Sequence, residues 1–215
     1  PTGGVVPRAE LEKLVKGLEE HPHVYVLADE IYSRMTYDGE PHVSLLEFDS
    51  IRDRLIVLDG WSKTFSMTGW RLGWGLWPKE LIAQAERLQI NSVSCPSAPV
   101  QVAAIEALRG PQDAVDTMMK AFDERRKAIV EGLNRIPGFS CVTPKGAFYA
   151  FPNVTATGIS SMELQDSLLQ NAGVAILSGT SFGALGEGYL RFSYAASMED
   201  IERALERVAN LLQPA

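Results

Sequence analysis

The sequence predicts an α/β protein: a first half built on short strands of parallel type, followed by a smaller α+β domain. Three observations predict this. In the first half, apolar runs of strand length stop at Asp29, Gly60 and Pro78 and alternate with helical stripes. Gly110-Pro111 then breaks the chain, and one long charged helix follows. Beyond that helix the strands become short and are separated by two further helices. The implied division is 1–112 and 113–215.

Taken in order, Pro7 opens a helix, because a first-turn residue needs no N–H. Leu11, Leu14, Val15 and Leu18 then recur at helical spacing. His23 to Ala28 reads as a buried strand, continuously apolar as in a parallel sheet, with Asp29 at its carboxyl end. Arg54 to Asp59 reads as a second buried strand and Leu72 to Trp77 as a third. Leu81, Ile82, Ala85 and Leu88 form a helical stripe, and Val100 to Leu108 forms another helix. The long helix runs from Asp113 to about Arg135. Strands are expected near Ser140–Val142, Ala147–Phe151, Val174–Leu177 and Tyr189–Tyr194. Helices are expected at Ser161–Asn171 and from Ser197, whose hydroxyl caps a face of Ile201, Leu205, Val208 and Leu212.

The chain has 215 residues, 46% of them hydrophobic and 22% charged, with a net charge of −7. That length buries a substantial core. The acidic balance disfavours nucleic acid and anionic membranes as partners. No apolar run is long enough to span a bilayer, and no signal peptide is visible. Cys95 and Cys141 are isolated and read as buried thiols of a reducing compartment, which places the protein in the cytoplasm. His21, His23 and His42 are too scattered for a metal site. The opening Pro1-Thr2-Gly3-Gly4 reads as the middle of a loop, so the chain is expected to be a fragment.

The chemistry concentrates in Ser62-Lys63-Thr64-Phe65-Ser66-Met67-Thr68-Gly69-Trp70-Arg71-Leu72-Gly73 and in Ala28-Asp29-Glu30-Ile31-Tyr32. Lys63 sits in a turn among Trp61, Phe65, Met67 and Trp70. Partial desolvation there makes an amine nucleophilic toward an aldehyde, although a lysine snorkelling over aromatics has the same surroundings. Asp29 would hold a pyridine nitrogen protonated, or would cap the turn that follows. Tyr32 would face the same side, or would be a core tyrosine. Arg71 offers two parallel donors to a phosphate, or a structural salt bridge. Ser62 adds a hydroxyl or caps the turn. In Tyr189-Leu190-Arg191-Phe192-Ser193-Tyr194, strand alternation turns Arg191 away from Leu190, Phe192 and Tyr194. Arg191 would grip a carboxylate, or face solvent on an edge strand. An amine, an acid, a phenol and a guanidinium are the set a pyridoxal-phosphate enzyme requires.

Together these stretches resemble the class I/II aminotransferases, the fold-type-I pyridoxal-phosphate enzymes. Pro1-Thr2-Gly3 resembles the end of the family's Asn-Pro-Thr-Gly loop. Asp29 to Tyr32 resembles its Asp-x-x-Tyr motif, Ser62 to Gly73 its lysine motif with the phosphate arginine, and Tyr189 to Ser193 its carboxylate-binding strand. The resemblance covers essentially the whole chain and corresponds to the C-terminal half or more of such an enzyme. It implies that 1–112 is the C-terminal part of the mainly parallel-sheet, cofactor-binding large domain, and that 113–215 is the small C-terminal domain.

The resemblance also implies roles. Lys63 carries pyridoxal 5'-phosphate as a Schiff base and moves the proton. Asp29 pairs with the pyridine nitrogen, Tyr32 with the ring hydroxyl, Arg71 and Ser62 with the phosphate, and Arg191 with the substrate α-carboxylate. The reaction implied is amino transfer between an amino acid and a 2-keto acid, in a homodimer when complete. A carbon–sulfur lyase or a synthase on the same fold shares these residues, and an inactive fragment would retain them. Two departures stand out. Gly60 occupies a position where the family often has serine, and Asn91 to Pro96, resembling the segment that reaches a neighbouring site, holds no arginine. The 215-residue chain alone is expected to turn over weakly or not at all.

Overall fold

The computed structural model describes residues 1–213. The chain divides into two compact units, Val5–Asp116 and Pro1–Gly4 with the chain from Thr117 onward.

In the first unit, α1 (Arg8–Glu19) follows Pro7, whose carbonyl accepts from the N–H groups of Glu10 and Leu11. Leu11 and Val15 are buried, whereas Leu14 is exposed. They pack with Val43, Leu45, Ile51, Leu55 and Val57 into one cluster. Each such side chain contributes about 1.5–3 kcal/mol when fully buried. Two strands lie beside this cluster, β1 (Val26–Asp29) and β2 (Leu55–Gly60), paired in parallel. A third strand, β3 (Gly73–Leu76), pairs with β2.

The expectation of parallel-type strands holds for β1 and β2 but not for β3, which is antiparallel to β2. Parallel pairing requires a long crossover, which the chain between Asp29 and Leu55 supplies. The shorter segment from Gly60 to Gly73 instead turns straight back. Nor is β1 buried throughout. Val26 and Ala28 pack on the α1 cluster, while Leu27 on the other face is exposed. One covered face produces this alternation. In β3, Trp74 and Leu76 are exposed as well.

Next come α2 (Lys79–Val93) and α3 (Ala98–Arg109). The stripe expected on α2 is helical but not buried: Ile82 and Leu88 are exposed. In α3, Ala104 is buried, and its carbonyl accepts from the Trp61 indole N–H at 3.1 Å. Cys95, in the link between these helices, is exposed rather than buried; Cys141 is buried as expected. Burial pushes the Cys141 thiol up to about 11, against a smaller opposing effect of a backbone hydrogen bond at Phe151.

The second unit is built around α4 (Asp113–Asn134), which belongs to it from Thr117 onward. Its sheet holds β4 (Tyr149–Ala150), β5 (Leu177–Ser178) and β6 (Leu190–Ser193) in the order β4-β6-β5, all antiparallel. These strands are shorter than expected. The strand expected at Ser140–Val142 reduces to a bridge between Ser140 and Asn153. On β6, Leu190 and Phe192 are buried, as is Tyr194 beyond it. Helix α5 (Ser161–Ala172) starts with a capping box, Ser160 with Glu163. It ends at left-handed Gly173, with the Val174 N–H donating to the Leu168 carbonyl at 2.9 Å. The Ser197 hydroxyl caps α6 (Met198–Leu211) by accepting from the Asp200 N–H at 3.0 Å.

One guanidinium lies inside this unit. Arg126 is 1% exposed. Its Nε donates to Asp123 Oδ1 at 2.9 Å, and its Nη1 donates to the Pro144 carbonyl at 2.7 Å. Burial alone would raise the Asp123 carboxyl, but hydrogen bonds from Lys127 and Arg126 hold it below the usual range. Pro144 in turn abuts Gly3, whose carbonyl accepts from the Lys145 and Gly146 N–H groups at 2.8 and 2.9 Å. The opening segment is thereby tied into this unit.

Candidate cofactor and substrate site

The sheet register determines which residues meet in the first unit. Asp29 is aligned with Leu58, and the Glu30 N–H donates to the Leu58 carbonyl at 2.8 Å. Gly60, at the end of β2, is aligned with Gly73, at the start of β3. The carboxyl ends of β1 and β2 and the amino end of β3 therefore share one edge of the sheet. From that edge emerge the turn of Asp29 to Tyr32, the turn of Ser62 and Lys63, and the approach of Arg71. Open α/β sheets collect ligands at the carboxyl ends of their parallel strands.

Asp29 is exposed, not a buried acid, because its side of β1 is the open one. Its Oδ1 accepts from the Ile31 N–H at 3.2 Å and so caps the turn that follows, a contact that uses one carboxylate oxygen. The turn continues with the Ser33 N–H on the Glu30 carbonyl and the Met35 N–H on the Tyr32 carbonyl, both at 2.8 Å. Tyr32 is half-buried, and its ring centroid lies 5.9 Å from Lys63 Nζ.

Lys63 is half-buried in a turn closed by the Phe65 N–H on the Trp61 carbonyl at 3.2 Å and the Ser66 N–H on the Lys63 carbonyl at 3.2 Å. Thr64 beside it is 3% exposed and anchors the turn. Ser62 is half-buried next to Lys63. Arg71 follows the short turn Thr68–Trp70 in the left-handed region, with φ 54° and ψ 52°. Its Nη1 donates to the Thr68 carbonyl at 2.7 Å, and its side chain lines an open groove of about 820 Å³ along β2, β3 and α2.

Two residues of this edge escaped the sequence reading. Asp59 Oδ2 accepts from the Ser33 hydroxyl at 3.1 Å, and its Oδ1 accepts from the Gly60 N–H at 2.6 Å. This contact joins the turn after β1 to the strand that delivers Lys63. Burial pushes the Asp59 carboxyl up, more than the Gly60 and Ser33 hydrogen bonds lower it, and Glu30 adds to the rise. Glu30 has its own partners: Ser44 Oγ and the Leu45 N–H donate to Oε1 at 3.0 Å, and His42 Nε2 lies 3.0 Å from Oε2. No motif announces these contacts, since all but the one from Gly60 join positions 12 to 26 residues apart.

Gly60 also has a steric reason. A Cβ there would lie 2.9 Å from the Gly73 Cα and 3.0 Å from the Leu72 carbonyl oxygen, both backbone atoms. A serine at this position does not fit the present spacing of β2 and β3.

Arg191 stands in the other unit, on β6, half-buried and facing away from Leu190 and Phe192. Its guanidinium is flanked by the rings of Tyr149 and Phe182. Pro1 lies near it.

Amine, carboxylate, phenol, hydroxyl and guanidinium on one sheet edge form a donor set that fits pyridoxal 5'-phosphate. Among the described residues, no group of three or more potential metal ligands occurs, and no helix is long and apolar enough to cross a membrane.

Comparison with known proteins agrees with this chemistry. The model of the aminotransferase class I and II family matches residues 1–208. An aspartate aminotransferase of Pyrococcus abyssi is 40% identical over 215 residues, covering 99% of this chain and 55% of that protein. An aromatic-amino-acid aminotransferase of Thermococcus litoralis is 38% identical, with 99% and 55% covered. The crystal structure of an aromatic aminotransferase from Pyrococcus horikoshii superposes with a TM-score of 0.94 at 40% identity, with 99% of this chain and 57% of that one covered. The chain thus spans little more than half the length of the curated relatives it matches.

Proposed function

The chain belongs to the class I and II aminotransferases, with the fold-type-I architecture of its solved neighbours, and on that premise we propose that the protein, with pyridoxal 5'-phosphate, moves an amino group between an amino acid and a 2-keto acid. The observation that carries this reading is the meeting of the Asp29–Tyr32 turn, the Lys63 turn and Arg71 at one edge of the sheet.

Bound cofactor supplies an aldehyde and an electron sink for the substrate α-carbon. Lys63 would hold the cofactor through its side-chain amine and would serve as the base that moves the α-proton. The Asp29 carboxylate keeps the pyridine nitrogen charged. The Tyr32 phenol donates to the ring oxygen. Arg71, with Ser62, takes the phosphate, and Arg191 takes the α-carboxylate in two parallel hydrogen bonds.

Three finer readings accompany this one. Residues 1–112 belong to the cofactor-binding domain and 113–215 to the small domain, although Pro1–Gly4 cluster with the second compact unit and residues 113–116 with the first. The protein, when complete, acts as a homodimer, as its family resemblance implies. It works in the cytoplasm, which suits the exposed free thiol of Cys95.

The test is made on the full-length protein with added pyridoxal phosphate. A yellow absorption that borohydride fixes onto Lys63, absent in Lys63→Ala, is expected, together with keto-acid-dependent loss of the amino group. Labelling elsewhere would end the reading. Ammonia release without a keto acid would replace it with a lyase.

A further inference from the structure

Arg191 is held by two rings rather than by an acid. Its Cζ lies 4.5 Å from the centroid of Tyr149 and 4.7 Å from that of Phe182. Backbone pairing explains the first contact. Tyr149 on β4 is aligned with Ser193 on β6, and Ser193 shares a sheet face with Arg191. Tyr149 is therefore the diagonal neighbour of Arg191, within reach of a long side chain. The second contact comes from β5, where Leu177 is aligned with Arg191 and the following turn, Gly179–Phe182, ends in the ring. That turn is fastened by the Gly179 N–H on the Tyr189 carbonyl at 2.8 Å and by the Ser178 hydroxyl against the Thr180 hydroxyl at 2.7 Å.

We infer that Tyr149 and Phe182 are positioning residues for substrate carboxylate: their rings fix the plane of the Arg191 guanidinium and leave its edge donors free for a bidentate bond. This rests on the reading of Arg191 as the carboxylate group given above. A guanidinium can be oriented by a carboxylate or by π faces. A carboxylate would occupy the donors that the substrate needs and would neutralise the charge. Rings attract the cation through their faces and do neither. Among the described residues, no carboxylate pairs with Arg191. Orienting the side chain beforehand also removes the entropy loss from the binding step.

The test uses the full-length protein loaded with pyridoxal phosphate, with Phe182→Leu, Tyr149→Leu, Tyr149→Phe and Arg191→Leu variants. Calorimetry measures binding of two unreactive carboxylates, succinate and 3-phenylpropionate. Steady-state kinetics use L-aspartate and L-phenylalanine. Each Leu variant at a ring position is expected to weaken the better-bound carboxylate by about 3- to 10-fold, the scale of one lost cation–π contact. KM for the amino acid should rise in parallel with kcat little changed, and Tyr149→Phe should behave as wild type.

Unchanged binding in both ring variants overturns the inference. So does a loss in Tyr149→Phe equal to that in Tyr149→Leu, because the ring remains there. Carboxylate binding that survives Arg191→Leu, or is absent from the wild type, overturns it together with the role of Arg191. Absence of turnover in the wild type counts against amino transfer alone, since carboxylate binding still reports on the rings.

Discussion

The Lys63 side-chain nitrogen lies 5.9 Å from the centroid of the Tyr32 ring, although the whole of β2 and the long connection before it separate the two residues in the chain. A cation at this distance from an aromatic face gains about 0.5–1 kcal/mol at an exposed site, and the contact also directs a flexible stem. Tyr32→Phe keeps the ring and removes the phenol. It is expected to weaken pyridoxal phosphate binding by about tenfold, the scale of one hydrogen bond to a charged group. Tyr32→Leu loses the ring as well and should bind more weakly still. Cofactor titration followed by absorbance measures both. Equal affinities for the two variants would leave the ring contact without a role.

Gly60 faces Gly73 across β2 and β3, and a Cβ on Gly60 would come within 2.9 Å of the Gly73 Cα. The main chains must part to admit any side chain. Gly60→Ser is therefore expected to destabilise the protein by about 1–3 kcal/mol, the usual cost of overpacking. It should also weaken cofactor binding, because Ser62 and Lys63 leave β2 directly after this residue. Denaturant unfolding with and without cofactor separates the two effects. A serine that strengthened phosphate binding would show that the strands yield and that the hydroxyl reaches the ligand.

The existence of the strands around this edge was legible in the sequence, but their faces were not. Val26 to Asp29 and Leu55 to Gly60 are apolar enough to be strands under any covering. Whether Leu27 is buried depends on what lies over the second face, and no periodicity within β1 encodes that. The direction of β3 follows from the length of the Lys63 turn, which propensity does not weigh. Capping chemistry was easier to read, because Ser160 with Glu163 and Ser197 with Asp200 act within one turn of chain. The proposed site residues with a local signature, Lys63 and Arg71, were visible for the same reason. Asp59, Tyr149 and Phe182 were not, because Ser33 and Arg191 reach them only through sheet register and tertiary packing.

Asp59 ties β2 to the turn after β1 at the expense of burying its charge. Burial raises its carboxyl, and the Gly60 and Ser33 hydrogen bonds only partly offset the rise. A carboxyl that is harder to ionise when folded lowers stability at every pH above its folded value. That cost fades as the pH falls through the folded value and is gone below an ordinary aspartate pKa of about 3.9. Asp59→Asn keeps an acceptor oxygen for Gly60 or Ser33 and carries no charge. Its melting temperature is expected to exceed that of the wild type at neutral pH, with the difference closing toward about pH 4. A variant that melts lower at neutral pH, by a margin that shrinks in acid, would show that the ionised carboxylate stabilises the fold.

Arg71 occupies a conformation that glycine adopts more easily, with φ 54° and ψ 52°. A residue with a Cβ there costs roughly 1–2 kcal/mol. The observed return within the protein is one bond from Nη1 to the Thr68 carbonyl, on an exposed side chain. That bond, made by an exposed side chain, is of the same size as the strain, so losing both together should nearly cancel. Arg71→Gly is therefore expected to leave the unfolding free energy unchanged or raise it by up to about 1 kcal/mol. The same change should reduce pyridoxal phosphate affinity by at least about tenfold, through loss of a charge-assisted pair of hydrogen bonds. Arg71→Lys keeps the charge without the planar fork and should fall between the two. If Arg71→Gly instead destabilises the protein and binds cofactor as well as the wild type does, then Arg71 serves the turn and the phosphate is held elsewhere.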